Sequence, residues 1–316
     1  MGEVTVKQKA TVGNGVCQSR GMQKNIIPSA KVRINDTETI QGAIEGAFLR
    51  LVPQALSWPI LTCSSRTDAG VHGLCNIAHI DIENKYDSIY NPCESLKHLN
   101  RHLIQCDHDI RILDLIPVKD TFHVKHCANS RTYLYRILKA KDVKYHKVPI
   151  IEMERCFHFR SETFDPEKIS RATQLFMGLK DFRTFSSNRR SDTPVRYVRS
   201  LGSLTFEKGS PLMPYDPLSE NFDVWDFKCT SKGFLYKQVR KIVTALLALG
   251  IGKITEKDIT VMLQVPGHKN YITSLGLVPP HGLYLLNVGY NQNYLDEHII
   301  KYRISNDGIV IPLNED

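Results

Sequence analysis

The segment Arg66-Thr67-Asp68-Ala69-Gly70-Val71-His72 combines side chains that could carry out chemistry. It joins two apolar segments, Trp58–Thr62 and Leu74–Ile80, that have the character of strands. We therefore expect Asp68 on a tight turn between rigid elements, where a reactive carboxylate keeps its geometry better than on a free loop. Asp-Ala-Gly is also common in turns without any chemistry, because Asp bonds its own backbone and Gly adopts positive φ. Taken alone, the pattern favours an ordinary turn.

A second group of side chains lies in and beside the segment Tyr133–Leu138, whose aromatic and β-branched residues predict a strand. Side chains two residues apart in a strand share a face, so Arg131, Tyr133 and Tyr135 are expected on one side. An arginine and two phenols on one face could hold a phosphate and stack on a base. A cross-strand aromatic ladder in the core explains them as well, and the β-preference of tyrosine favours that alternative.

The third group lies on an apolar helix predicted from Phe234 to Leu249. Lys237, Arg240 and Lys241 fall on one side of this helix, at positions i, i+3 and i+4. A solvated helix face would have the same pattern. Arg240 also lies among apolar residues, which suits a partly buried guanidinium that pairs with a carboxylate.

The remaining basic residues and the overall charge agree with an anionic partner. Arginines occur in Asn188-Arg189-Arg190 and in Thr193-Pro194-Val195-Arg196, where they could follow a phosphate backbone or simply form a surface loop. The chain of 316 residues has a formal net charge of +8, and its pI is near 9.0. Nucleic acid is the first candidate for such a partner, although a merely basic protein fits the charge equally well.

The cysteines and histidines give little support to a metal site. The chain has 8 cysteines and no Cys-x-x-Cys pair, so zinc ribbons, iron–sulfur sites and thioredoxin-type centres are not indicated. No secretory signal is readable, and we expect reduced thiols. The best metal candidates, His98, His102 and Cys106, share one face of a predicted helix and lack a fourth ligand. No metal site is predicted. No apolar run approaches the roughly 18 residues of a membrane span.

Helix and strand patterns alternate along the chain and predict an α+β protein with two similar lobes. The helices are expected from a cap at Asn35 or Asp36 through Ile40, Ile44, Phe48 and Leu51, over Glu94–Ile104, from the Asp165-Pro166 cap to Met177, and after the Thr255–Asp258 capping box. Further strands are expected over Ile110–Val118, Tyr197–Phe206, Asp223–Thr230 and Leu283–Tyr290. The polar segment Lys139–Pro149 is the expected connector.

The N-terminal residues are the hardest to interpret. Met1–Lys31 is basic and lacks aromatic residues, which fits either a mitochondrial leader or an irregular arm. Glu3 and the lack of an Arg-rich amphipathic face argue against the leader. We expect an irregular or divergent arm over residues 1–35.

Several motifs in the chain occur in one order that is typical of a known family. The motifs are Arg66–His72, Phe122-His123, Arg131-Thr132-Tyr133-Leu134-Tyr135, Asp181-Phe182, Thr193-Pro194-Val195-Arg196, Phe234-Leu235-Tyr236 with Val239-Arg240, and Gly282-Leu283-Tyr284-Leu285. Together they resemble the TruA-type tRNA pseudouridine synthases, and most closely the eukaryotic tRNA pseudouridine synthase-like proteins, some of which are mitochondrial. The resemblance covers about residues 36–290 and changes the interpretation of Asp68 from a turn residue to a catalytic one.

The resemblance implies an activity and roles for individual residues. These enzymes isomerise uridine in tRNA, usually in the anticodon arm, without a cofactor or metal. Asp68 would be the nucleophile or the proton-abstracting base, Tyr133 would pack on the target uracil, and Arg240 would pair with the catalytic carboxylate. The RNA-binding residues would be Arg66, which helps to hold the flipped nucleotide, and His72, Arg131, Arg196 and Lys237.

The resemblance also implies an architecture. The fold would be two ferredoxin-like lobes that share a mainly antiparallel sheet, with helices on one side and a central basic cleft. The lobes would span residues 36–140 and 150–290, followed by a tail over 291–316. The resemblance implies a homodimer that binds tRNA, and no membrane partner is expected. The expected location is the mitochondrion or, alternatively, the cytoplasm or nucleus.

One departure from the family pattern concerns its first strand, which lies inside the sheet. Val4–Val12 alternates, but Lys7 and Lys9 fit poorly in a central strand. Either the residues after Met1 form a poor substitute for the family's first strand, or the true start is missing or mis-spliced. Without that strand a sheet edge is left unpaired and the lobe is expected to be unstable. A catalytically impaired tRNA-binding protein is therefore the main alternative, whereas a metal-dependent nucleic-acid hydrolase lacks clustered ligands.

Overall fold

The computed structural model describes residues 6–13, 39–52, 57–84, 89–187 and 194–313, which form a mixed α/β fold with mainly antiparallel sheets. The strands are β1 Val6–Gly13, β2 Leu61–Cys63, β3 His72–Gly73, β4 Ala78–Asn84, β5 Asp114–Val118, β6 Ala128–Ala140, β7 Phe157–Phe159, β8 Gly178–Asp181, β9 Val198–Lys208, β10 Phe222–Ser231, β11 Leu283–Tyr290, β12 Tyr302–Ile304 and β13 Val310–Pro312. The α-helices are α1 Ile40–Leu51, α2 Pro92–Gln105, α3 Pro166–Ala172, α4 Gln238–Gly250, α5 Glu256–Gln264 and α6 Gln292–His298.

The chain divides into two compact units. Unit 1 contains Met1–Asn129 and Asn287–Asp316, and unit 2 contains Ser130–Leu286. The predicted lobes changed over at residues 140–150. The division lies earlier because β6 runs without a break to Ala140, and Lys139 is a buried strand residue rather than part of a connector.

The sheet of unit 1 has the order β2-β4-β1-β5, so β1 is a central strand. β1 is antiparallel to both neighbours, with Ala10 opposite Ile80 on β4 and opposite Pro117 on β5. Val6–Gly13 are therefore a strand and not an irregular arm, in agreement with the alternative that the residues after Met1 substitute for the family's first strand. Because β1 lies between β4 and β5, it supplies a strand in the position that the sequence analysis left open. The rest of that arm lies outside the described residues.

Two capped helices complete the core of unit 1. The side chain of Thr39 accepts a hydrogen bond from the Gly42 amide at 3.0 Å and caps α1, whereas the predicted caps Asn35 and Asp36 lie outside the described residues. Asn91 caps α2 in the same manner, by accepting from the amides of Cys93 and Glu94. The helices share one apolar cluster with the sheet, which includes Phe48, Ile80, Leu99, Leu103 and Ile112.

The C-terminal residues belong to the fold of unit 1. Val118 forms an antiparallel bridge with Ile299, and Ile89 forms one with Val310. Residues of α6 pack with Phe122 in a second apolar cluster. The segment predicted as a tail over 291–316 therefore contributes a helix and a two-stranded sheet as far as Pro312.

The strands of unit 2 follow the order β11-β6-β10-β9-β8, and β7 runs parallel to β6. β10 is antiparallel to both β6 and β9. The three strands predicted over Tyr197–Phe206, Asp223–Thr230 and Leu283–Tyr290 are confirmed to within two residues. Local patterns are therefore reliable in this sheet.

The helices of unit 2 differ in how well the sequence predicts their starts. Asp165 accepts from the Lys168 amide at 2.8 Å and caps α3, as predicted, and a 3₁₀ helix continues this element to Phe176. The capping box of Thr255 and Asp258 is also confirmed at α5. α4 instead begins four residues after the predicted start, because Lys237 has a left-handed backbone with φ of 61°. In the described part of the chain, no helix combines the length and apolarity that crossing a membrane requires.

Candidate functional site

The Asp68 segment forms a four-residue turn in unit 1. The Val71 amide donates to the Asp68 carbonyl at 3.0 Å, which closes the turn. Gly70 occupies its third position with φ of 78°, a conformation that glycine adopts without steric cost. The Asp68 side chain is half-buried. The turn therefore holds the carboxylate in a defined place between β2 and β4.

The base of the Asp68 turn is fastened by Ser64 and Asn76. The Ser64 amide donates to the Ile77 carbonyl at 2.8 Å, and the Ser64 hydroxyl donates to Asn76 Oδ1 at 2.9 Å. Asn76 Nδ2 donates to the Ser65 carbonyl at 3.0 Å. These bonds tie the two ends of the loop together, as a preorganised site requires. Sequence analysis missed this pair. A polar residue at each end of the predicted loop is the signal that could have identified it.

The side chains around the turn differ in exposure. Arg66 is exposed, whereas His72 is buried on β3. Burial, and after it the charge of Glu45, raises the pKa of the Cys63 thiol to about 11, and Arg66 opposes this rise. Glu45 itself accepts from the Leu61 amide at 2.9 Å. Cys63 is therefore a protonated, unreactive thiol at neutral pH.

The Phe122-His123 motif serves the packing of unit 1. Phe122 is buried, and the following amide, that of Val124, donates to Nδ1 of the buried His79 at 3.2 Å. The rings of His79 and His123 meet edge to face with centroids 5.1 Å apart. In this hydrogen bond from the Val124 amide, Nδ1 of His79 is the acceptor. The motif therefore supports the strand that follows the Asp68 turn.

In unit 2, β6 carries Arg131, Tyr133 and Tyr135. Tyr133 is 7% exposed, and its ring meets the Phe234 ring edge to face with centroids 5.2 Å apart. Tyr135 is fully buried and donates its hydroxyl to the Pro279 carbonyl at 2.8 Å, so it belongs to the core. Arg131 is half-buried and donates to the Lys232 carbonyl. The interpretation of these tyrosines as core residues is therefore correct for Tyr135. Tyr133 is also buried, and it keeps a small exposed fraction.

Arg240 is buried on the first turn of α4. Its side chain is 9% exposed, and Nε donates to the Val278 carbonyl at 2.9 Å. This bond fixes the orientation of the guanidinium, whose fork suits a carboxylate. Lys237, just before the helix, is half-buried and places Nζ 5.0 Å from the centre of the Tyr236 ring. The two residues therefore do not form one solvated face.

The remaining predicted basic patch is only partly described. Arg196 is exposed, and its carbonyl accepts from the Arg199 guanidinium at 2.7 Å. The Asn188-Arg189-Arg190 segment lies outside the described residues. Within the described residues, no group of three or more His, Cys, Asp or Glu side chains is arranged to hold a metal ion. His102 and Cys106 come together at 3.7 Å on α2.

Comparisons with known proteins all find tRNA pseudouridine synthases. Residues 172–291 match the family model described as tRNA pseudouridine synthase. The human tRNA pseudouridine synthase-like 1 is 32% identical, over 88% of this chain and 86% of its own length. The protein of the same name from Xenopus laevis is 32% identical over 74% of this chain and 76% of its own length. The tRNA pseudouridine synthase A of Brucella ovis is 28% identical over 82% of this chain and 91% of its own length.

Proposed function

Because this chain belongs to the tRNA pseudouridine synthase family, we propose that it converts specific uridines of tRNA to pseudouridine. In this isomerisation the bond between the base nitrogen and the ribose breaks, and a bond from a base carbon to the ribose replaces it. The observation that carries the proposal is the match to the human relative over 88% of the chain.

Asp68 is the proposed nucleophile or proton-abstracting base at the ribose. A carboxylate suits attack at a sugar carbon, as in glycosidases. The turn that Ser64 and Asn76 fasten supports this role, because a group held in a defined place reacts with less loss of conformational freedom. Reaching the ribose requires the target uridine to leave its stack, at a cost of roughly a few kcal/mol.

Tyr133 and Arg240 are proposed to complete the catalytic set. Tyr133 would pack on the target uracil, and its edge-to-face contact with Phe234 supports the role because it fixes the ring plane. Arg240 would pair with the Asp68 carboxylate and keep it ionised by its opposite charge. The bond to the Val278 carbonyl supports this role by setting the guanidinium in advance.

The proposed RNA contacts come from Arg66, His72, Arg131, Arg196 and Lys237. Arg66 and Arg196 are exposed and basic, as phosphate contacts require. We further propose that the two units are ferredoxin-like lobes with helices on one side and a basic cleft. A homodimer acting on the anticodon arm completes the proposal, which takes these features from the family resemblance.

The cellular location is proposed to be mitochondrial, again on the resemblance alone. Fractionation of cells that express the full chain with a C-terminal tag tests this. Enrichment with a mitochondrial matrix marker supports the proposal. Enrichment in the cytoplasmic or nuclear fraction contradicts it.

The proposed reaction is tested by incubating the purified protein with an unmodified tRNA transcript and mapping pseudouridine chemically. The wild type should form pseudouridine, and Asp68→Asn should reduce the rate by about a thousandfold or more, because an amide is a poor nucleophile and base. Turnover that survives the substitution would contradict the role of Asp68. Binding without product by the wild type would favour a tRNA-binding protein without activity, an alternative whose main support disappears with β1 in the sheet.

A further inference from the structure

Unit 2 carries basic and aromatic side chains that the proposed catalytic set does not use. The guanidinium carbon of Arg183 lies 4.9 Å from the centre of the Tyr197 ring. The His268 ring meets the same tyrosine edge to face, with centroids 5.0 Å apart. The Arg183 side chain is 45% exposed, and Tyr197 and His268 are half-buried. We call these three residues the aromatic–basic patch.

The turn that carries Arg183 is held by local hydrogen bonds. The Arg183 amide donates to Asp181 Oδ1 at 2.8 Å, and the Ser186 hydroxyl donates to the Arg183 carbonyl at 2.9 Å. The Gly267 amide donates to Thr184 Oγ1 at 3.0 Å, which joins this turn to the segment of His268. The aromatic–basic patch is therefore brought together by the backbone rather than by long side chains alone.

Lys241 fastens the same turn from α4. Its Nζ donates to the carbonyls of Thr184 and Ser186 at 3.1 and 2.7 Å and lies 4.4 Å from the centre of the Tyr271 ring. A cation engaged in this way is a positioning residue. It orders the segment that presents Arg183 before any partner arrives, which lowers the conformational cost of binding.

The charge around the aromatic–basic patch is mainly positive. Arg196 is exposed next to Tyr197, and Arg199 donates to the Arg196 carbonyl. Burial, and after it the charge of Arg196, lowers the pKa of Arg199. Asp181 lies 3.5 Å from the Arg183 guanidinium, and an exposed pair of this kind contributes little energy and leaves Arg183 able to meet a phosphate.

We propose that the aromatic–basic patch, together with the neighbouring Arg196, binds single-stranded RNA of the tRNA substrate, outside the target uridine. Arg183 and Arg196 bind phosphates of the strand, and a base stacks against Tyr197 and His268. Arginine forks suit phosphates, and unstacked bases bind to aromatic and guanidinium planes. The inference rests on the proposed function, because it takes the partner to be the same tRNA. In this inference the side chains contribute to tRNA binding and take no part in the reaction itself.

The test compares the binding of an unmodified tRNA transcript by the full-length wild type and three variants at several salt concentrations. Arg183→Gln should raise Kd about fivefold or more and reduce the salt slope by about 1, because one phosphate contact is lost. Tyr197→Leu should raise Kd by a similar factor with an unchanged slope, because stacking is lost without a charge. The control Arg171→Gln removes an exposed arginine from α3 and should leave Kd within twofold.

Equal effects of the Arg183→Gln and Arg171→Gln substitutions would overturn the inference, because net charge alone would then explain them. If Arg183→Gln lowers the melting temperature, Arg183→Lys keeps the charge and should give an intermediate Kd, since lysine lacks the planar fork. Pseudouridine formation by the wild type decides the proposed function separately. If the wild type forms no product but Arg183→Gln and Tyr197→Leu still weaken tRNA binding more than Arg171→Gln does, the proposed activity is rejected. The inference that the aromatic–basic patch binds RNA then stands.

Discussion

The Asp68 turn of unit 1 and the start of α4 in unit 2 both depend on one residue with a left-handed backbone. In the turn this residue is Gly70, with φ of 78°, and before α4 it is Lys237, with φ of 61°. Glycine adopts this conformation freely, whereas in a residue with a Cβ the same conformation costs roughly 1–2 kcal/mol of conformational energy. The Asp68 turn is therefore relaxed, and the start of α4 stores strain that its neighbours must hold.

The contacts around the two segments explain how each conformation persists. At α4 the Lys241 amide donates to the Lys237 carbonyl at 3.0 Å, and the Leu235 amide donates to Gln238 Oε1 at 2.8 Å. The Asp68 turn has the side-chain clasp of Ser64 and Asn76 at its base. The start of α4 is built into an apolar helix, whereas the Asp68 turn is a half-buried loop. Substitution of the buried Arg240 should therefore cost more stability than substitution of the half-buried Asp68.

The largest difference is expected between Arg240→Met and Asp68→Asn. Arg240→Met should cost about 1–3 kcal/mol of unfolding free energy, because the buried Val278 carbonyl loses its donor. Asp68→Asn should cost less than Arg240→Met, because asparagine keeps the size of the half-buried side chain and can still accept a hydrogen bond. Urea unfolding measures both, and both variants should lose pseudouridine formation. Equal destabilisation by the two would break the contrast between the segments.

Gly70→Ala tests whether the Asp68 turn needs its glycine. The substitution should cost roughly 1–2 kcal/mol, because alanine is strained at this positive φ. Gly46→Ala on α1 is the matched control. A Cβ there meets nothing within 4 Å, and the helix should gain about 0.5–1 kcal/mol. Thermal unfolding distinguishes the two signs, and a stabilising Gly70→Ala would show that the turn relaxes to another conformation.

Lys237→Gly is the converse experiment. Relief of strain should add about 1 kcal/mol to the stability of unit 2, and loss of the cation should weaken tRNA binding. Lys237→Ala keeps a Cβ and removes the charge, so it should weaken binding without the gain in stability. If both variants have the stability of the wild type, the left-handed residue is not a source of strain.

Parts of the fold could be predicted because their signals are local. Asp165 and the Thr255–Asp258 capping box bond to amides within three residues, so their sequence patterns suffice. The start of α4 could not be predicted, since the Tyr236 carbonyl accepts from Ser187, far away in sequence. The sequence left β1 open, as either a poor substitute strand or none, for a related reason. Its pairing with β4 and β5 is non-local, and lysines in its pattern argued against a central strand.

The candidate residues show the same limit. The turn at Asp68 could be predicted because the residue types around it favour a turn, whereas the catalytic role of Asp68 remains a prediction from a family motif. Asn76 gains its meaning only when the chain folds and brings the two ends of the loop together. Arg183, Tyr197 and His268 are far apart in sequence, and no spacing rule joins them. Sequence therefore predicts a turn more readily than a surface assembled from three segments.

The smallest expected effect is a pH dependence of the unfolding free energy from Lys241, a half-buried lysine of unit 2. Burial, and after it the charge of Lys237, lowers the pKa of Lys241 below its ordinary value of 10.5. In the alkaline range below 10.5 the folded state therefore binds fewer protons than the unfolded state, and stability should rise with pH. Because the side chain is half-exposed, solvent screening keeps this effect small. Lys241→Met should lack the rise, and parallel pH profiles of both proteins in urea unfolding would contradict it.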